Sequence, residues 1–238
     1  MNKDKIIILL GGSGRLGLQL SKKLSSNYLV YIIDKNKPKI RNYSRFLFYD
    51  FSSNIHLSES FNEEISGKEK KKIICIINLI RPEFKNNILY NQKLDLLNKY
   101  ILNYFNIIKN LVEKNYSKVN ILNISTVNVK LISHQSFEYH YFKASLEFIT
   151  KYISIKWMKN KIYANSLRLG LIETKNISKI ISKKKIKRLS GKNRLINYKD
   201  IFDFINKTYI TNKILNGTLL TLDNSLSNMD QLYFSDFN

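Results

Sequence analysis

A chain of 238 residues, 44% of them hydrophobic, is long enough to bury one substantial core, and no apolar run in it approaches the ~20 residues of a membrane span. The net charge of +22 invites a nucleic-acid reading, but the lysines are spread along the whole sequence, without the aromatic interleaving or zinc-ligand spacing of a nucleic-acid module. Neither specific nucleic-acid binding nor a membrane partner is therefore expected. The single cysteine, Cys75, excludes an intrachain disulfide and a cysteine-rich metal site, which makes the cytoplasm the expected compartment.

The N-terminus, Met-Asn-Lys-Asp-Lys, leads into the apolar run of residues 5–10 and lacks a small-residue cleavage site, so it reads as a strand and not as a signal peptide. A continuous apolar run is the pattern of a parallel strand buried on both faces. It ends in Gly11-Gly12-Ser13-Gly14-Arg15-Leu16-Gly17, followed by helical spacing at Leu16, Leu20 and Leu24. Glycines at 11, 14 and 17 are read as a G-x-x-G-x-x-G turn between strand and helix, and not as G-x-G-x-x-G. Such a turn lets the backbone approach a pyrophosphate seated on the helix N-terminus. Without a ligand the same turn serves as a tight strand–helix connection.

A second apolar run from Tyr28 to Ile33 ends at Asp34, 23 residues after Gly11. A carboxylate there can accept from the adenosine ribose hydroxyls and repel a 2′-phosphate, which favours NAD(H). Lys35, Lys37 and Arg41 follow and could receive that phosphate, which keeps NADP(H) open. The third run, Arg45 to Tyr49, precedes Asp50, well placed to border the adenine. Residues 52–72 are polar and read as a helix with exposed loops. The fourth strand is Ile73 to Ile77. Residues 88–115 carry a long helical pattern containing Asn98, and the fifth strand, Val119 to Ile124, runs into Ser125 and Thr126. Alternating strands and helices predict an α/β, doubly wound parallel sheet of the Rossmann type with helices on both faces, as one domain over residues 1–238.

Tyr139 and Lys143 are four residues apart at the start of an amphipathic run, so a helix stacks them on one face. An ammonium near a phenol favours the phenolate, and a free tyrosine titrates near ~10, so the pair offers a general acid/base for chemistry at a carbonyl or alcohol. Thr126 lies 13 residues before Tyr139 and Asn98 lies 28 before Thr126. The three histidines have no metal-ligand partners at useful spacing, so no metal site is expected. His140 projects about 100° away from Tyr139 around the helix. Trp157 continues the packing stripe Phe142, Leu146, Ile149, Ile153.

Taken together, the glycine turn, Asn98, Thr126 and the Tyr-x-x-x-Lys pair resemble the short-chain dehydrogenase/reductase family in its compact, single-domain form, over residues 5 to 227 or so. VNILNISTV resembles its fifth strand and YHYFKASLEFIT its active-site helix. IYANSLRLGLIET resembles its sixth strand, and LNGTLLTLDNSLS the last strand of its sheet.

The resemblance implies an oxidoreductase that interconverts a carbonyl and a secondary alcohol by hydride transfer. Tyr139 would be its proton donor or acceptor. Lys143 would lower the tyrosine's pKa and bind the nicotinamide ribose, Thr126 would bind the substrate oxygen, and Asn98 would support a water in the proton relay. Cofactor contacts would come from Gly11, Ser13, Gly14, Arg15, Leu16, Gly17, Asp34, Lys35, Asp50, Phe51, Asn78, Lys143, Gly170, Ile172 and Thr174. The substrate would be a small molecule, with a sugar or nucleotide-sugar derivative as the first expectation. A basic lid at about 172–195, with Lys183, Lys184, Lys185, Lys187, Arg188, Lys192 and Arg194, suits an anionic one. The face carrying the Phe142 stripe and the 94–112 helix would form a homodimer or homotetramer interface.

Four departures from the family pattern stand out. Thr126 replaces the usual serine, with Ser125 expected to point to the other side of the strand. Arg15 replaces a glycine. Ile77-Asn78-Leu79-Ile80 replaces Asn-Asn-Ala-Gly, and Leu169 replaces a proline. They leave two alternatives: a 3-oxoacyl-carrier reductase using NADPH, and a degenerate dinucleotide-binding sensor or scaffold.

Overall fold

The structure is a computed structural model, which describes residues 4–39, 45–53, 65, 72–84, 88–113, 118–131, 135–174, 186, 194–211 and 214–228. Seven strands form one parallel sheet in the order β3-β2-β1-β4-β5-β6-β7. In chain order they are β1 (Lys5–Leu10), β2 (Leu29–Asp34), β3 (Arg45–Phe48), β4 (Lys72–Asn78), β5 (Val119–Thr126), β6 (Ile162–Leu169) and β7 (Leu219–Leu222). The helices described in full are α1 (Arg15–Leu24), α2 (Tyr90–Glu113), α3 (Phe137–Lys156) and α4 (Tyr198–Ile205), the last continuing into a π-helical turn at Asn206–Ile210. The expected fold class holds. The expected helix within 52–72 lies almost wholly outside the described residues.

The run in β1 is apolar on every residue because helices cover both faces. Ile6, Ile8 and Leu10 belong to one core, with Tyr104 and Ile108 of α2 and Phe142, Leu146 and Ile153 of α3. Ile7 and Leu9 belong to the other, with Leu20 and Leu24 of α1 and Ile201 and Ile205 of α4. The period of two along the strand thus divides a single hydrophobic run between two cores. Asn197 and Asp200 cap α4 reciprocally, each side chain accepting from the other's backbone N–H.

The Phe142 stripe is consumed inside the protein, and Trp157 stacks on Phe105 with ring centroids 5.5 Å apart. The expectation that this stripe forms an intersubunit face is therefore corrected. The exposed apolar stripe of α3 lies on its other side, through Phe137, Tyr141, Phe148, Tyr152 and Ile155. Among the described residues no helix is long and apolar enough to cross a membrane, and no acidic, histidine or cysteine cluster could hold a metal ion.

Candidate active site

Strand order reverses between β1 and β4, and a cleft of about 790 Å³ opens beyond the carboxyl ends of the strands there. That is where an open parallel sheet offers a crevice, because the loops leaving β1 and β4 turn to opposite faces. The glycine turn forms one end of the cleft. Gly11 has φ +69°, and a Cβ on it would meet the Ile80 backbone at 2.8 Å, so the loop leaving β4 packs directly on the turn. A Cβ on Gly17 would sit 2.2 Å from the Gly12 carbonyl oxygen, so only glycine lets α1 approach the strand so closely. Gly14 is the N-cap of α1 and supplies no side-chain hydrogen bond, and the first turn carries no acidic residue. No side chain therefore caps the amides at this helix start.

Asp34, at the end of β2, accepts from the backbone N–H of Ser13 at 3.0 Å and of Asn36 at 3.1 Å. Its carboxylate thereby fixes the turn and still has lone pairs facing the cleft. Lys35 pairs with Glu83 at 3.4 Å. Asp50 accepts from the Ser52 N–H at 2.9 Å, and Asn103 of α2 donates to the Phe51 and Ser53 carbonyls, both at 2.8 Å. These bonds fix the loop that lines the cleft beside Asp34.

At the opposite end, Ser136 caps α3, and Tyr139 and Lys143 face the cleft one turn apart. Lys143 is buried, with its Nζ donating to the Ile124 carbonyl at 2.8 Å and the Ile80 carbonyl at 3.3 Å. Burial, and then the nearby Arg81 guanidinium, push its pKa down to about 7. Arg81 itself lies over the Tyr139 ring, 5.7 Å from the centroid. Thr126 ends β5, and its Oγ1 accepts from the Asn128 N–H at 3.3 Å. Ser125 Oγ turns instead to Glu147 at 2.8 Å, and Arg168 grips the same carboxylate through Nε at 2.8 Å and Nη2 at 2.6 Å.

No protein-family model and no curated protein matches the sequence. Solved structures do match. The Cj0485 dehydrogenase superposes with a TM-score of 0.77 at 16% identity, over 96% of both chains. A short-chain dehydrogenase from Bacillus anthracis gives 0.75 at 18%, over 96% of this chain and 98% of that one. YwfH, an NADPH-dependent reductase involved in bacilysin biosynthesis, gives 0.72 at 17%, over 93% and 98%. The fold is that of the short-chain dehydrogenases/reductases.

Within that short-chain dehydrogenase fold, Gly11, Ser13, Gly14, Arg15, Leu16, Gly17, Asp34, Lys35, Asp50, Phe51, Thr126, Tyr139, Lys143, Gly170, Ile172 and Thr174 all line the one cleft. Two expected residues do not. Asn98 is exposed on α2, because the side turned to the sheet is set by Leu97, Tyr100 and Tyr104, and one residue beyond Leu97 the helix has rotated about 100°. Asn78 is fully buried, donating to Asn123 Oδ1 at 3.0 Å and accepting from the Ile80 N–H at 2.9 Å, so it shapes the β4 exit loop from beneath. Arg194 of the basic lid is engaged by Asp200, with an Nη2–Oδ1 distance of 3.0 Å. The other lid cations, at 183–185, 187, 188 and 192, lie outside the described residues, as do His56 and His134.

The reading of the glycine turn as lacking G-x-G-x-x-G is corrected, and two cleft residues are added. Gly12 packs against α1, and with Gly14 and Gly17 it also spells G-x-G-x-x-G. Arg81 and Tyr100 line the cleft as well. The signal for Arg81 was its place just past the end of a central parallel strand, where side chains reach the crevice.

Proposed function

We propose that the chain is an NAD(H)-dependent short-chain dehydrogenase/reductase that interconverts a carbonyl and a secondary alcohol on a small molecule, with a sugar or nucleotide-sugar derivative as the first expectation. The observation that carries the reading is the convergence of Thr126, Tyr139 and Lys143 with the glycine turn and Asp34 on the walls of one cleft.

The residues present suit a dinucleotide. The uncapped start of α1 suits its pyrophosphate, and Asp34 suits its adenosine ribose. Lys35 argues only weakly for a 2′-phosphate, because Glu83 already pairs with it. When bound, the nicotinamide supplies or accepts the hydride. Tyr139 gives a proton to the substrate oxygen in reduction and takes it back in oxidation. Thr126 Oγ1, accepting from the Asn128 N–H, keeps its own O–H for that same oxygen. Lys143 in its protonated form, held by two main-chain carbonyls, keeps a third N–H for the nicotinamide ribose. With Asn98 outside the cleft, no side chain is assigned to a water relay.

The degenerate-scaffold reading needs Leu79 or Ile80 to block the nicotinamide end. Both residues form cleft wall, and the cleft continues past them to Tyr139, which supports turnover. Tyr139→Phe is expected to keep cofactor binding and lower turnover on an identified substrate by a factor on the order of 10²–10⁴. Unchanged turnover in that variant would refute the assignment. NAD(H) should raise the melting temperature more than NADP(H) at equal concentration, and Asp34→Ala should erase most of the difference. The reverse order would favour the NADPH-using acyl reductase. The acting species is read as a homodimer formed through the exposed stripe of α3.

A further inference from the structure

The loop leaving β4 puts a guanidinium directly after Leu79 and Ile80, at the mouth of the cleft. Arg81 is exposed, follows the buried Ile80, and rests on the Tyr139 ring. Among the described residues no carboxylate pairs with it. Lys35, Lys93, Arg168 and Arg194 are by contrast each engaged, by Glu83, Glu138, Glu147 and Asp200. A second pocket of about 370 Å³ opens on the same spot, walled by Arg81, Pro82, Glu83, Phe84, Gln135, Ser136 and Tyr139. Arg81 and Tyr139 belong to both this pocket and the main cleft. A group bound in the side pocket is therefore in reach of the cation and of the phenol at once.

Resting on the oxidoreductase reading above, we propose that Arg81 is a substrate-binding residue and that the substrate carries a carboxylate or phosphate, gripped by this guanidinium beside the carbon whose oxygen Tyr139 serves. Arginine suits the task because its planar fork binds an oxyanion through two parallel N–H bonds. Its position over the Tyr139 ring, 5.7 Å from the centroid, keeps the guanidinium beside the phenol. The anion also adds negative charge where Arg81 and Lys143 both line the cleft. Glu83, the one acid on this rim, is turned to Lys35.

The test uses the full chain loaded with NADH and matched ligand pairs, read by thermal shift. Acetoacetate is compared with its methyl ester, and dihydroxyacetone phosphate with dihydroxyacetone. At least one anion should bind about tenfold or more tightly than its neutral partner, the worth of a charge-assisted hydrogen bond. Whichever pair shows the preference identifies the oxyanion. Arg81→Gln should abolish the preference and leave NADH stabilisation intact, and Arg81→Lys should restore part of it. The proposal is overturned if no anion is preferred, if the preference survives in Arg81→Gln, or if that variant loses NADH, which would assign the arginine to the cofactor. If NADH fails to stabilise the wild type, the oxidoreductase reading itself has failed, a result distinct from the other three.

Discussion

Lys143 is asked to be both buried and cationic. Its ammonium gains two carbonyl acceptors but loses water and faces Arg81, and its pKa falls to about 7. In the unfolded chain a lysine holds its proton to pH ~10.4. Between those values the unfolded state binds more protons than the folded one, so this residue makes stability rise with pH from about 7 toward 10 and contributes no slope below about 6. Urea unfolding across that range should show the rise in wild type and its loss in Lys143→Met; parallel curves for the two proteins would mean the lysine keeps its ordinary pKa. The glycine turn is constrained just as locally. Gly17→Ala would set a methyl 2.2 Å from the Gly12 carbonyl oxygen. It should cost about 1–3 kcal/mol, as overpacking does, and displace the amides at the start of α1 that the proposed function assigns to a pyrophosphate. Thermal shift with and without NADH checks both effects.

At the scale of elements, α3 works as a ruler. Tyr139, Lys143 and Glu147 recur every four residues along one face, so the proposed acid/base, the buried lysine and a structural carboxylate are fixed together. Glu147 is buried and accepts from Ser125 on β5 and Arg168 on β6, tying the helix to the strand ends that carry Thr126 and Gly170. Arg168→Leu should destabilise the protein by about 3 kcal/mol, because it leaves a buried carboxylate without its counter-charge. Adding Glu147→Leu should recover part of the loss, and denaturant unfolding of the single and double variants measures it. The strands, α1, α3 and the cleft-lining glycines were legible because each rests on a local period or on a residue type whose geometry admits few alternatives. Asn98 and Asn78 were not. Both are polar residues at correct spacings whose direction is decided by neighbours, Leu97 and Tyr100 in one case and Asn123 in the other. Arg81 was hidden for the opposite reason: a sequence so rich in lysine and arginine gives no one of them weight until the fold shows which of them line the cleft.

For the whole molecule, the open question of assembly reduces to one helix face. Phe148 is 70% and Ile155 80% exposed, a run of large apolar groups that a lone domain rarely leaves in water. If α3 meets its counterpart in a second copy, Ile155→Glu should shift the sedimentation coefficient from dimer to monomer at micromolar concentration. A monomeric wild type would remove the dimer reading. Beneath the site, Asn123 binds four partners: Tyr104 and Asn78 through Oδ1, Thr150 through Nδ2, and Ser166 through its carbonyl. Any one of the side-chain partners changed alone strands a buried polar group, whereas several exchanged for apolar ones of like shape need cost little. Neutral drift at this junction is thus a lock with several tumblers. Surface lysines come and go singly, but here the order in which substitutions arrive decides which of them a descendant can keep.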